Sequence, residues 1–359
     1  MNHLNEEGES EMNITTIGLD IAKNVFQVHG VDRNGKAVLR KKVSRGKVVE
    51  FFAKLPACLL GMEACPGAHH WGRELMKLGH RVKLMPAQYV KAYLKGQKTD
   101  GNDAEAICEA VSRPGMRFVV MNTQAQQDLQ MLHRIRHRLV GERTALINQI
   151  RGLLGEYGII FAQGPGQVRR GLVRLLGDNE AGLSGFALEL LSDLHQQLRE
   201  LDERIAGYDA RVERVCAADE PSRKLDALPG LGALTATAMV AAVGDARQFA
   251  NGRSMAASLG LTPREHSSGG KQRRLGITKR GNTYLRTLLI HGARTVLRHA
   301  TGKTDRLSRW ALELEARRGK NVAAVALANK LARIAWAVLT RERTYQPDWL
   351  GRANVQSTA

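Results

Sequence analysis

The sequence predicts a mixed α/β domain followed by an all-α remainder. Three observations carry that expectation. Strand and helix signals alternate from residue 13 to 120, apolar residues recur at heptad spacing from 121 to 220, and helical windows broken by glycine-rich turns fill 221 to 345. The 359 residues are enough for the two or three domains that these zones suggest.

The first zone opens with Ile14-Thr15-Thr16-Ile17-Gly18-Leu19-Asp20, a β-branched run that ends on an acid. Val25-Phe26-Gln27-Val28-His29-Gly30-Val31 alternates at the period of a strand, and Asp32-Arg33-Asn34-Gly35 turns it into Ala37-Val38-Leu39-Arg40. Helical spacing covers Lys47 to Leu55. Cys58-Leu59-Leu60-Gly61-Met62-Glu63 then reads as a buried strand that again ends on an acid. A second helix, His70 to Leu78, leads to the strand Arg81-Val82-Lys83-Leu84-Met85, closed by Pro86. Three successive antiparallel strands followed by α-β-α-β is the chain order of a ribonuclease-H-like domain.

In the second zone Leu191, Leu194, Leu198, Leu201, Ile205, Tyr208, Val212 and Val215 are spaced alternately three and four apart, the a/d seam of a coiled coil. Upstream, Leu132, Leu139, Leu146 and Leu153 keep a heptad spacing, but the companion seam is interrupted by Arg136 and Arg143. Gly164-Pro165-Gly166 separates the two runs, so the zone reads as a helical hairpin or an oligomerisation stalk.

Charge points to a partner. Lys and Arg number 54 against 35 Asp and Glu, a net +19, with a pI near 10.2. Such a surplus favours a polyanion, because neutralising phosphates releases counterions. An anionic membrane is the competing partner. The most apolar window, Val322 to Leu339, carries Lys330 and Arg333 and reads as an amphipathic helix. The acidic stretch Asn5-Glu6-Glu7-Gly8-Glu9 is neither a secretory signal nor a transit peptide, and residues 1–11 are expected to be a dispensable extension. Cys58, Cys65, Cys108 and Cys216 lie far apart with no Cys-x-x-Cys pair, which argues against a zinc ribbon and suits a reducing cytoplasm. His69 and His70 are adjacent, and neighbouring residues seldom reach one ion, so a turn or core role is expected.

The acids are the chemical signal. Two-metal phosphoryl transfer needs several carboxylates around divalent cations roughly 4 Å apart. Hard cations such as Mg²⁺ prefer oxygen donors. Asp20 and Glu63 close strands that are neighbours in a ribonuclease-H-like sheet. Asp100-Gly101-Asn102-Asp103 opens a helix, and acids three apart share a helical face. Taken singly, Asp100 reads as an N-cap, Asp103 as an acid favoured by the helix dipole, and Glu63 as a surface charge. All four in this order of elements point to a metal site.

Leu228-Pro229-Gly230-Leu231-Gly232 before Thr235 to Val243 resembles a helix-hairpin-helix, with an ordinary glycine turn as the alternative. A loop then runs from Leu259 through Ser267-Ser268-Gly269-Gly270. Its cations Arg264, Lys271, Arg273, Arg274, Lys279, Arg280 and Arg286 are expected to hold nucleic-acid phosphates. A serine beside two glycines can meet a phosphate without steric shielding, though it needs a base or metal to become a nucleophile. By composition alone the segment is a Ser-Gly linker.

Asp20, Glu63, Asp100-x-x-Asp103, the Leu-Pro-Gly-Leu-Gly turn and the Gly-Leu-Thr-Pro…Ser-Ser-Gly-Gly…Lys-Arg-Gly-Asn…Leu-Arg block together resemble the DEDD transposases, insertion-sequence recombinases related to the Piv-type invertases. The resemblance covers roughly residues 13–340. It implies a RuvC-like N-terminal domain and a C-terminal transposase domain in a bacterial, nucleoid-associated enzyme. It also implies Mg²⁺, or Mn²⁺ in its place, on the four acids. A covalent phosphoserine would form through Ser268, the serine before the first glycine, with Ser267 as the neighbouring alternative. Implied partners are DNA ends and target, a structured guide RNA and further copies of the chain, as dimer or tetramer. The rival readings are a RuvC-like Holliday-junction resolvase or nuclease using metal-activated water, and a nonenzymatic nucleic-acid-binding protein whose acids only cap helices.

Overall fold

Strand β1 (Thr16–Ile21) is the middle of a five-stranded sheet in the order β3-β2-β1-β4-β5. Strands β2 (Val25–Val31) and β3 (Ala37–Ser44) run antiparallel as a meander, whereas β4 (Leu59–Glu63) pairs parallel with β1 and β5 (Arg81–Met85) parallel with β4. The connections are helices α1 (Val48–Ala53) and α2 (Ala68–Lys77), and after β5 come α3 (Ala87–Val90) and α4 (Asp100–Val111). This computed structural model describes residues 13–97, 99–178, 182–341 and 344–346. The extension 1–11 singled out in the sequence lies outside them. The arrangement is a mixed α/β fold with a central sheet, consistent with a RuvC-like domain.

Side-chain alternation gives this sheet two different faces. Ile17 and Leu19, Phe26 and Val28, Leu60 and Met62, and Leu84 share one face by register, and they form one core with Phe52 of α1 and with Trp71 and Leu75 of α2. Gly18 and Gly61 are paired on the opposite face, which α4 covers. A β-carbon at Gly18 would lie 2.1 Å from the Ala104 carbonyl oxygen, and one at Gly61 2.8 Å from Val111 Cβ. The two glycines therefore let the helix backbone settle directly on the strands.

The chain divides into two compact units between Thr123 and Gln124. Where the sequence suggested separate helical and C-terminal domains, one unit holds both. Its first part is α5 (Gln124–Gly155), α6 (Pro165–Leu176) and α7 (Gly185–Ala218). The seam residues Leu191, Leu198, Leu201 and Ile205 of α7 are buried with Leu139, Leu146, Ile147 and Ile150 of α5 in the same chain. Arg136 pairs with Asp209, and Arg143 with Asp202 at 3.2 Å, so α5 and α7 run antiparallel. The two arginines that break the upstream seam are thus ion-paired across it, and Asp202 also accepts from Arg169 at 2.6 Å. The opposed arginines hold the Asp202 carboxyl below its ordinary value against the desolvation that raises it.

The rest of the unit is α8 (Glu220–Asp226), α9 (Ala233–Val243), α10 (Gly252–Ser258), the two-stranded pair β6 (Pro263–Glu265) and β7 (Arg274–Ile277), α11 (Thr283–Arg298), α12 (Arg306–Arg318) and α13 (Lys320–Arg341). By length and composition α13 is apolar enough to cross a membrane. Its Ala323, Leu327, Leu331 and Ala335 are instead buried in the core of this unit, and Lys330 sits 3.9 Å above the Trp310 ring. The Leu228–Gly232 turn also packs inward. A β-carbon at Gly292 of α11 would lie 1.8 Å from the Gly230 carbonyl oxygen, and one at Gly230 (φ 84°) 2.8 Å from the Gly292 carbonyl oxygen, so the turn and the helix meet glycine to glycine.

Candidate active site

Three of the four predicted acids meet at one end of the sheet. Asp20 sits two residues past Gly18 and so projects from the face that α4 covers. The helix passes over Gly18 at Ala104, one turn into its length, which carries its first turn toward the end of β1. Thr99 caps that turn by accepting from the Asn102 amide at 3.3 Å, and Asp100 and Asp103 both lie in it. Carboxylate oxygens of Asp20, Asp100 and Asp103 lie within 4.8 Å of one another. Asp100 is exposed and the other two are half-buried, so the group is open to solvent.

Glu63 is not in that cluster among the described residues. It ends β4 one step beyond the Leu19–Met62 pair, on the same face as Asp20. Cys65 reports on both: burial first, then the charges of Asp20 and Glu63, push its thiol up. Among the described residues the clustered donors are carboxylate oxygens. His69 is placed elsewhere, its Nδ1 accepting from the Asn122 amide at 3.1 Å, and His70 lies edge-on to Trp71.

Magnitudes say what such a cluster needs. At an effective dielectric of about 20, two carboxylates 4.8 Å apart repel by roughly 3 kcal/mol, less where water screens them. The helix dipole offsets only about 0.3–1 kcal/mol for each acid in the first turn. A divalent cation removes the repulsion, and oxygen-only donors on an open rim fit a hard one. Asp20, Asp100 and Asp103 are the residues that would hold it, with Glu63 beside them.

In the second unit the predicted Ser-Gly linker is a β-hairpin. The Lys271 amide donates to the Ser268 carbonyl at 3.0 Å, and Gly269 and Gly270 between them have φ of 55° and 74°. Two consecutive positive φ angles are the mark of a type I′ turn, which closes a two-residue hairpin without splaying its strands. Composition shows the glycines but hides their pairing, which is why the segment looks like a linker. Ser267 donates to Glu265 Oε1 at 2.6 Å. The Ser268 hydroxyl has no protein partner among the described residues and stands exposed at the turn.

Six of the predicted phosphate contacts, Arg264, Lys271, Arg273, Arg274, Lys279 and Arg280, are exposed on this hairpin or at its base. Arg286 differs. It is buried, and its guanidinium donates to the Leu259 and Arg280 carbonyls at 3.0 and 2.9 Å and to Thr283 Oγ1 at 3.0 Å. Those bonds fix the loop that carries the hairpin and leave the fork turned away from solvent. Gly281 (φ 73°) completes the base, since a β-carbon there would lie 1.8 Å from the Ser258 carbonyl oxygen.

Residues 17–159 match the profile of the DEDD transposases of the IS110 type, and residues 222–308 match the Transposase IS116/IS110/IS902 family. A probable family 20 transposase of Pseudomonas aeruginosa is 52% identical over 94% of this chain and 100% of its own length. The chain belongs to the IS110/IS116/IS902 transposase family. The transposase for insertion sequence element IS1111A of Coxiella burnetii is 48% identical, over 94% of this chain and 93% of its own. The transposase for IS1328 of Yersinia enterocolitica is 41% identical, over 92% and 98%. Membership makes the chain an enzyme of DNA cleavage and strand transfer, and a DEDD domain implies a divalent metal.

Sequence reasoning singled out the acids but missed what brings Asp20, Asp100 and Asp103 together. Gly18 and Gly61 each precede an acid by two residues, and a strand glycine is a standing sign of close backbone approach.

Proposed function

We propose that this transposase cleaves and rejoins DNA through a covalent phosphoserine at Ser268, with Mg²⁺ held by Asp20, Asp100, Asp103 and Glu63, and Mn²⁺ able to replace it. The observation that carries the reading is the convergence of Asp20, Asp100 and Asp103 within 4.8 Å. When bound, the ion supplies positive charge that stabilises the developing negative charge on the scissile phosphate and leaving oxygen.

In the step itself the Ser268 hydroxyl loses its proton and forms a Ser Oγ–P bond. One P–O bond to a deoxyribose breaks, and the leaving oxygen takes up a proton. The reverse displacement by the hydroxyl of a different strand restores the serine and joins that strand. Arg264, Lys271, Arg273, Arg274, Lys279 and Arg280 would hold flanking phosphates, an arrangement supported by their exposure on one hairpin. Arg286 is assigned to positioning that hairpin. We further propose that a structured RNA guides target choice and that the enzyme works as a homo-oligomer, the serine of one subunit serving the acids of another. The +19 charge and the family membership support the first.

The test uses a suicide DNA substrate whose cleavage strands the intermediate, followed by mass spectrometry of any protein–DNA adduct. A phosphodiester on Ser268 is expected. A link to Ser267 moves the nucleophile by one residue, and cleavage by a Ser268→Ala enzyme with no adduct means hydrolysis by activated water. Mixing Ser268→Ala and Asp20→Ala subunits should restore activity, and no recovery ends the in-trans assignment.

A further inference from the structure

At the closed end of the helical hairpin, where α6 joins α5 to α7, a cavity of about 310 Å³ opens between residues 160–162 and one face of α6. It lies in the lower part of the range for small-ligand sites, roughly 300–1,000 Å³. Its wall includes Ile160, Phe161, Gln167, Arg170, Arg174 and Asp178. None of these residues belongs to the acid cluster or to the serine hairpin.

Two features of that wall bear on what it could hold. Arg170 and Arg174 are exposed, one helical turn apart, and neither has a hydrogen-bond or ion-pair partner among the described residues. Their neighbour Arg169, by contrast, is held by Asp202. Like charges four apart weaken a helix slightly, and an anion between them reverses the effect. Beside them Ile160 is 87% exposed. The Phe161 ring lies against Gly171, where a β-carbon would be 2.4 Å from it. Only glycine at 171 allows the ring to reach this position.

An apolar surface with an aromatic ring, next to two unpaired guanidiniums, fits a ligand with a flat apolar face and a phosphate. Bases stacked in a duplex cannot enter such a cavity, whereas unstacked ones can. We propose that this cavity binds one unpaired nucleotide of single-stranded nucleic acid, its base against Ile160 and Phe161 and its phosphates at Arg170 and Arg174. The proposal rests on the nucleic-acid class of partner proposed above, but not on the metal or the serine.

The experiment is fluorescence anisotropy on the full chain in EDTA, with labelled oligo-dT, oligo-U and a duplex of equal length. Arg170→Gln with Arg174→Gln should weaken single-strand binding about tenfold at 0.15 M salt, with the salt slope falling by about 1.4 for two phosphates. Arg199→Gln with Arg204→Gln, the same charge change elsewhere on the hairpin, should alter it less than about twofold. Phe161→Leu, which keeps apolar volume in place, should weaken it about tenfold with the salt slope retained. Preference for oligo-dT or oligo-U identifies the strand as DNA or RNA. Equal effects of the two arginine pairs, or equal losses on duplex and single strand, would overturn the proposal. In EDTA no adduct should form, so this binding is read independently of any link to Ser268. Failure of the pocket and failure of the phosphoserine reading are therefore separately visible.

Discussion

Gly18 lies directly beneath Ala104: the carbonyl oxygen of the helix residue is 2.1 Å from where a β-carbon on the strand residue would begin. That contact sets the height of α4 over the sheet, and with it the distance from Asp20 to Asp100 and Asp103. Gly18→Ala must push the helix backbone away, since no flexible side chain is there to yield. The expected cost is about 1–3 kcal/mol of stability, with loss of most divalent-metal affinity. Gly101→Ala, in the exposed first turn with nothing near its β-carbon, should keep both. Thermal melts with and without Mn²⁺ separate the two variants.

The four acids should not behave alike. Asp20, Asp100 and Asp103 share the 4.8 Å cluster and Glu63 does not. Calorimetric titration of the DNA-free protein with Mn²⁺ should therefore show a drop of tenfold or more for Asp20→Asn, Asp100→Asn and Asp103→Asn, and a smaller one for Glu63→Gln. Cleavage of DNA should be lost in all four, because the reaction needs the fourth carboxylate near the scissile phosphate. Equal metal affinities across the series would mean that the acids serve only the helix end.

The serine hairpin depends on two positive φ angles, 55° at Gly269 and 74° at Gly270. Alanine at either position costs about 1–2 kcal/mol in the left-handed region, whereas asparagine tolerates it better. Gly269→Ala and Gly270→Ala should reduce adduct formation at Ser268 without moving the global melting temperature, since the turn is exposed and packs against nothing. Gly269→Asn should recover part of the yield. A gel assay of the trapped adduct reads the difference.

Much of the fold was legible because it rests on local patterns. The strand ends at Asp20 and Glu63, the capped start of α4 and the α7 seam follow from periodicity and capping, and the structure has each within a few residues. What stayed hidden depends on residues distant in sequence. Arg136 and Arg143 looked like faults in a seam until Asp209 and Asp202 were opposite them. Arg286 looked like one more phosphate ligand, because composition cannot distinguish an exposed cation from one bonded to the Leu259 and Arg280 carbonyls.

That distinction is itself testable. Arg286→Lys keeps the charge but loses the planar fork that reaches two carbonyls and Thr283. A phosphate ligand would tolerate lysine, with a modest change in DNA affinity. A buried positioning residue would not: the loss of those bonds should cost about 2 kcal/mol or more and increase amide exchange across residues 259–281. Hydrogen exchange by mass spectrometry is the readout that a simple phosphate contact would leave unmoved.

His133 of α5 should make the second unit sensitive to acid. It is buried, with Nε2 3.1 Å from Thr237 Oγ1 and Nδ1 3.2 Å from Tyr284 Oη. The Thr237 hydroxyl donates its proton to the Ala233 carbonyl at 2.7 Å, so Nε2 must be the donor toward Thr237, and Nδ1 accepts from Tyr284. A second ring proton would meet the Tyr284 hydroxyl proton head on. Burial first, and then the charge of Arg136, lower the pKa of His133 from 6.5 to about 4. With the folded value below the unfolded one, the neutral ring contributes stability that is fully present above about pH 6.5 and is lost as pH falls toward about 4. The full effect of that shift is roughly 3 kcal/mol. Urea melts of the wild type and of His133→Gln at pH 7.5 and 4.5 should show the wild type more stable at the higher pH and most of that advantage gone at the lower one. A constant difference between the two proteins across this window would mean that the histidine already carries its proton in the fold.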